Sequence, residues 1–215
     1  MNVYYFYVTL LLLVFILLYY GISYSLKFAP LKIKILSLSA LSLVSLRYAA
    51  LIILLFSANI KNLYLLKPFA FLNLLTIPVL ASAAIYILFR NDKIKFNYCL
   101  ILSGVLFPCY IFLISKFSIN IEIFRNLGYI MYFNNKNIQY GIYLIINTLF
   151  LFTAIIFIEN KNINKLGVRM IIASSAAVII ETILEASGIT LFSTVLFGDI
   201  LWIITIDYAL SKLRK

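Results

Sequence analysis

The chain has 215 residues, of which 65% are hydrophobic, 16% aromatic and 12% charged. This composition excludes a soluble globular protein and predicts an all-α polytopic membrane protein surrounded by the lipid bilayer. At about 20 residues per bilayer-spanning helix, the chain has room for about seven crossings with short loops. We therefore expect one integral membrane domain over 1–215, without an attached kinase, nucleotide-binding or DNA-binding module.

Polar residues divide the chain into seven apolar segments, each long enough to form a transmembrane helix. The first segment has no Lys or Arg ahead of it and no small-residue cleavage site behind it, so we interpret it as a retained helix and not as a signal peptide. The predicted helices cover about 4–26, 35–58, 68–89, 98–117, 140–159, 168–188 and 190–210.

The net charge of +11 is explained by membrane orientation and requires no nucleic-acid partner. If every segment crosses the membrane once, four clusters of basic residues lie on one side: Lys27, Lys32 and Lys34; Arg90, Lys93 and Lys95; Lys161, Lys165 and Arg169; and Lys212, Arg214 and Lys215. The other side holds Lys61, Lys67, Lys116, Arg125 and Lys136. Basic loops face the cytoplasm, so this distribution predicts a multi-pass cell-membrane protein with its N-terminus outside and its C-terminus in the cytoplasm.

The one long connection, about 118–139, contains an amphipathic pattern. Apolar residues recur there at helical spacing opposite a polar side, namely Ile123, Phe124, Leu127, Ile130 and Met131 against Glu122, Arg125 and Asn126. This spacing predicts an amphipathic helix at about 120–133 that lies in the outer membrane interface. Such a helix would be a connector or, alternatively, a lid.

The residues that most enzymes and metalloproteins use are scarce. The sequence has no histidine, and its two cysteines, Cys99 and Cys109, are about 15 Å apart along one predicted helix, beyond disulfide reach. The sequence therefore lacks the side chains that zinc sites, haem sites and histidine-based proton relays use. It also contains no glycine-rich phosphate-binding loop. We expect no metal or cofactor, and the balance is against an enzyme.

Ionisable residues inside the apolar segments are the main functional candidates, because each costs about 2.5–3.5 kcal/mol at the bilayer centre. Arg47 lies near the middle of the second segment, and Glu181 and Asp199 lie at similar depth on the last two. Glu185 is one turn above Glu181, and Asp207 lies near the cytoplasmic end beside Lys212 and Arg214. Arg47 is therefore expected to pair with Glu181 or Asp199.

One arginine facing two deep carboxylates leaves three outcomes open: a protonated carboxylate, a hydrated site, or a bound cation or cationic solute. We assign Arg47, Glu181, Asp199 and Glu185 as the candidate ligand- or ion-binding residues. Polar or aromatic side chains that are candidates for lining a solute cavity are Asn73, Asn147 and Trp202. The alternative is a charge pair that only fixes helix packing.

Three classes of function remain. The favoured hypothesis is a carrier or solute- or ion-binding membrane subunit that uses the buried carboxylates. The second is a non-catalytic regulatory or assembly partner of another membrane protein. The third is an intramembrane enzyme, but the aspartyl-protease motif is present only as Gly198-Asp199, without its preceding glycine or its second aspartate.

Overall fold

The computed structural model describes residues 2–57, 60, 62–89, 95–123, 128–159, 163–189 and 195–214, with side chains from Tyr4 onward. Its helices are α1 (Asn2–Phe28), α2 (Leu31–Phe56), α3 (Lys67–Ala70), α4 (Asn73–Phe89), α5 (Asn97–Lys116), α6 (Lys136–Phe157), α7 (Lys165–Ala186) and α8 (Leu196–Ser211). A short 3-10 helix, Leu63–Leu66, leads into α3. Pro30 separates α1 from α2, because the residue before a proline is restricted to extended conformations.

Six helical segments of the described chain are long and apolar enough to cross a bilayer: Tyr4–Phe28, Leu31–Phe56, Leu63–Phe89, Asn97–Lys116, Lys136–Phe157 and Lys165–Ala186. The protein is therefore an all-α polytopic membrane protein, as its composition predicts. The seventh predicted segment, 190–210, is described only from Val195. Its helix α8 has 16 residues and is about 24 Å long, which is less than the hydrocarbon thickness of about 30 Å. The seven crossings and the orientation stay predictions.

Two helices form the centre of the bundle. Nearly every side chain of α4 is buried, and α8 packs against α1, α4 and α7. In contrast, α5 packs mainly on α4 and buries only Cys99 and Tyr110. The bundle thus has a densely packed side around α8 and an open side at α5.

The amphipathic helix predicted at 120–133 is wrong, because the described part of this connection is a β-hairpin. Strand β1 (Ile119–Ile123) pairs antiparallel with β2 (Tyr129–Phe133), and residues 124–127 lie outside the described residues. Ile119, Met131 and Phe133 on one face are buried, whereas Asn120 and Glu122 on the other are exposed. In β1, isoleucine alternates with Asn120 and Glu122 at a period of two, and β2 is rich in aromatic residues, so both favour strands over a helix.

The hairpin packs on one end of the helix bundle. The ring of Phe133 stacks on Phe71 with 4.2 Å between centroids, and the Lys67 ammonium donates a 2.7 Å hydrogen bond to the Phe117 carbonyl. Gly128 has a φ of +83°, and a Cβ at this position would lie 2.6 Å from Leu55 Cα. Only glycine therefore allows the hairpin to approach the end of α2 so closely.

Candidate functional site

The third membrane segment, Leu63–Phe89, is interrupted about a third of the way along its length. After α3 ends at Ala70, a turn at Phe71 and Leu72 precedes α4. The Leu74 amide donates to the Phe71 carbonyl, and the Ala70 carbonyl is left without its helical partner. An unsatisfied carbonyl inside a membrane is costly, so this break needs a donor from elsewhere.

Arg47 supplies that donor and forms an ion pair at the same time. Its Nε donates a 3.4 Å hydrogen bond to the Ala70 carbonyl, and its Nη1 pairs with the Asp199 carboxylate. The side chains of Arg47 and Asp199 are only 1% and 3% exposed. Of the two partners considered from sequence, the structure joins Arg47 to Asp199, which links α2 to both the α3 break and the first turn of α8.

Glu181 is bonded to backbone and not to Arg47. Its carboxylate accepts hydrogen bonds from the Leu196, Phe197 and Gly198 amides at 3.0, 3.1 and 2.9 Å. These are amides at the start of α8, which have no partners within the helix and carry the positive end of its dipole. Glu181 is five residues, or about 8 Å, before the end of α7. Because the first turn of α8 bonds to Glu181, α8 begins about 8 Å deeper in the bundle than the end of α7. Glu181 and Asp199 are close enough to interact electrostatically.

The three cavity-lining candidates form a hydrogen-bonded group beside this cluster. The Asn73 amide donates to the Tyr143 hydroxyl, and Asn147 accepts a 3.0 Å hydrogen bond from the Trp202 indole. A cavity lined by Asn73, Asn147 and Asp199, among others, leaves about 10 Å³ for the centre of a water molecule, which is room for about one water. These polar groups are therefore close together, and the cavity that the described residues form between them is too small for a larger solute.

Glu185 and Asp207 lie outside this cluster. Glu185 is half-buried on α7, and Lys136 is the opposite charge that interacts with it. Asp207, expected at the cytoplasmic rim beside Lys212 and Arg214, is instead buried, and neither of its oxygens has a hydrogen-bond partner among the described residues. Lys212 and Arg214 lie over the rings of Tyr208 and Phe28. The position of Asp207 near the end of the chain does not predict this burial, because the burial depends on which helix packs against α8.

Two larger cavities flank α5. One, of about 540 Å³, lies between α4, α5 and α6 and is lined by apolar residues that include Leu106, Phe112 and Ile146. The other, of about 370 Å³, lies between α2, α4 and α5. Its lining includes the small side chains of Ser39, Ala40, Thr76, Ser103 and Gly104, together with larger apolar residues. We call this second cavity the α2–α5 groove.

Within the described residues, no three His, Cys, Asp or Glu side chains are grouped to hold a metal ion. Comparison with known proteins found no matching family model, no matching curated protein and no matching solved structure.

Proposed function

We propose that the protein is a non-catalytic membrane subunit that regulates or assembles with another membrane protein, and that its central charges are structural. The observation that carries this proposal is the pairing of these charges around space for only about one water. Arg47 is shared between Asp199 and Ala70, and Glu181 holds the start of α8. A midplane carrier site would instead need carboxylates that a solute can reach.

The open side at α5 supports an assembly role. On this helix Gly104 is exposed, and a Cβ built on it would meet no atom within 4 Å. Small residues such as Gly104, Ser39 and Ala40 allow two membrane helices to approach closely. We infer that the α2–α5 groove receives an apolar transmembrane helix of the partner protein.

A photo-cross-linking experiment in native membranes tests this proposal. Benzoylphenylalanine replaces Phe107, which lines the groove and is 56% exposed, or Phe152 on α6, which is 57% exposed and serves as the matched control. We expect a discrete adduct with one other membrane protein, identified by mass spectrometry, from Phe107 but not from Phe152. The change Gly104→Leu should fill the groove and abolish this adduct.

Two outcomes would contradict the assembly proposal. Lipid adducts alone at both positions would mean that the groove is an ordinary lipid-facing surface. An adduct between two copies of this chain would mean that the groove binds a second copy of the same protein and not another membrane protein.

The second candidate is a proton- or cation-linked carrier that uses Arg47, Glu181, Asp199 and Glu185. The observation in its favour is that α8 begins beside the buried carboxylates while the third segment is interrupted opposite them. Interrupted helices of this kind surround substrate sites in secondary transporters. The central cluster would then be a closed state of the carrier.

Proteoliposomes separate the two candidates. A carrier predicts pH-linked ion or solute flux that is lost in Glu181→Gln and in Asp199→Asn but retained in Glu122→Gln, a change on the exposed face of the hairpin. Folded, reconstituted protein that shows no flux above that of protein-free vesicles across a panel of cations and cationic solutes would reject the carrier.

A further inference from the structure

Asp207 is a buried carboxylate that neither candidate function uses. It lies eight residues after Asp199 on α8, about 12 Å farther along the helix axis. The residue is 8% exposed, and both carboxylate oxygens are buried without a hydrogen-bond partner in the part of the chain that the structure describes. Its Oδ1 is directed at α1, where a Cβ built on Gly21 would lie only 2.4 Å away. The same Cβ would be 3.2 Å from Leu41 Cδ1, so α1, α2 and α8 converge here.

No described charge neutralises this carboxylate. The ionisable side chains toward this end of the helices around Asp207 are Tyr19, Tyr20, Tyr24 and Lys27 on α1, Lys32 and Lys34 on α2, Tyr86 on α4, Lys165 and Arg169 on α7, and Tyr208, Lys212 and Arg214 at or after the end of α8. None of these groups forms a hydrogen bond or an ion pair with Asp207. An ionised carboxylate buried without a hydrogen bond or a counter-charge is strongly disfavoured.

We propose that Asp207 is a proton-binding site between α1 and α8, and that its proton is needed for these two helices to pack at Gly21. A proton removes the charge without additional ligands, whereas a metal ion would need several more oxygens. Losing the proton places a negative charge against Gly21 and Leu41. That charge can be hydrated only if α1 separates from α8, so proton occupancy and helix packing are coupled.

Infrared spectroscopy of the full-length protein in lipid tests the proposal directly. The chain has only three aspartates, Asp92, Asp199 and Asp207, so aspartate labelled with ¹³C at the side-chain carboxyl distinguishes their bands from those of glutamate. At neutral pH we expect the carbonyl stretch of an un-ionised acid, shifted by the label and lost on raising the pH. The band should disappear in Asp207→Asn and persist in the control Asp92→Asn.

Two further measurements make the test independent of one variant. Dicyclohexylcarbodiimide enters bilayers and adds across its C=N bond the O–H of an un-ionised carboxylic acid, so wild-type protein should be modified at Asp207 faster at lower pH. If Asp207 binds a proton only in the folded state, the melting temperature should fall as the pH is raised from neutral, and this fall should be smaller in Asp207→Asn.

The infrared result decides the proposal. A labelled wild-type protein that shows only ionised aspartate bands at neutral pH would overturn it, whatever the variants do. An un-ionised band that persists in Asp207→Asn would assign the proton to another aspartate and would overturn it as well.

Discussion

At the scale of single residues, two charged side chains of the central cluster, Arg47 and Glu181, bond to backbone groups that have no partner within their own helices. Arg47 bonds the carbonyl left free at the end of α3, and Glu181 bonds three amides at the start of α8. Such groups cannot turn to water inside a bilayer, so side chains must satisfy them. Arg47 and Glu181, which first suggest a solute site, are thus also the side chains that the break after α3 and the start of α8 require.

The Arg47–Asp199 pair gives the first prediction. Arg47→Leu alone should lower the free energy of unfolding by about 3–5 kcal/mol, because it leaves the Asp199 carboxylate buried without a partner. Adding Asp199→Leu should recover part of the loss, since it removes the unpaired charge. Thermal unfolding in detergent and the yield of folded protein measure the loss in the single variant and the recovery in the double variant. A harmless Arg47→Leu would show that the pair does not stabilise the bundle.

Gly21 and Gly104 form a matched pair for a second prediction, because both are glycines within membrane helices. Gly21→Ala should destabilise the protein by about 1–3 kcal/mol, since the new Cβ meets Asp207 Oδ1. Gly104→Ala should be neutral or slightly stabilising, because its Cβ meets nothing within 4 Å and alanine favours the helix. Equal melting temperatures for the two variants would contradict the close contact between α1 and α8.

At the scale of elements, the β-hairpin and α5 differ in how firmly they are attached. Three contacts attach the hairpin to the bundle: the Phe133 ring stacks on Phe71, the Lys67 ammonium donates a hydrogen bond to the Phe117 carbonyl, and Gly128 packs closely against α2. Helix α5 has only α4 as its main neighbour and exposes most of its surface. The hairpin is therefore part of the packed structure, whereas the surface of α5 remains available to lipid or to a partner helix.

The hairpin gives a third prediction. Phe133→Ala should cost about 3–5 kcal/mol, because the ring is fully buried and its removal leaves a cavity against Phe71. Ile123→Ala on the same hairpin is the control, and it should change stability by less than about 0.5 kcal/mol because Ile123 is 70% exposed. Hydrogen exchange of the β1 and β2 amides reports the loosening. Unchanged exchange in Phe133→Ala would mean that this contact does not hold the hairpin.

At the scale of the whole molecule, the distribution of basic residues predicts the orientation in the membrane. Six described segments are suited to crossing, but the number of crossings depends on the seventh segment, whose described helix α8 is short. Seven crossings would place the termini on opposite sides and gather twelve basic residues in the cytoplasm. Helix α8 begins about 8 Å deeper in the membrane than the end of α7. The number of crossings is still seven if α8 continues to the cytoplasmic side of the membrane.

Cysteine labelling in intact cells tests this topology. After replacement of Cys99 and Cys109, single cysteines at Lys93 and Lys165 should be shielded from an impermeant thiol reagent added outside, and one at Lys136 should react. Permeabilised cells provide the control, because all three positions should then be labelled. Reaction at Lys93 or Lys165 in intact cells would show that the orientation or the number of crossings is wrong.

The sequence by itself determined the class of this protein and the approximate extent of most helices. Apolar content and segment length are local properties, and a bilayer accepts few alternatives to a helix for such segments. Local periodicity was not sufficient at 120–133, where isoleucine and aromatic residues fit both a helical and an alternating pattern. Pairing of the two strands and packing of Phe133 on Phe71 decided between them.

Only the tertiary structure decided what each buried charge contacts. The depth of Arg47, Glu181 and Asp199 can be counted along the helices, but their partners depend on helix rotation and on breaks that a hydropathy pattern does not reveal. The sequence therefore offers Arg47 two equivalent carboxylate partners, and in the structure it pairs with only one of them, Asp199. Glu181 instead accepts hydrogen bonds from backbone amides of α8. Position along the helix predicts that Asp207 is near the surface, but the residue is buried because Gly21 of α1 leaves space for its carboxylate, and no basic side chain among the described residues reaches it.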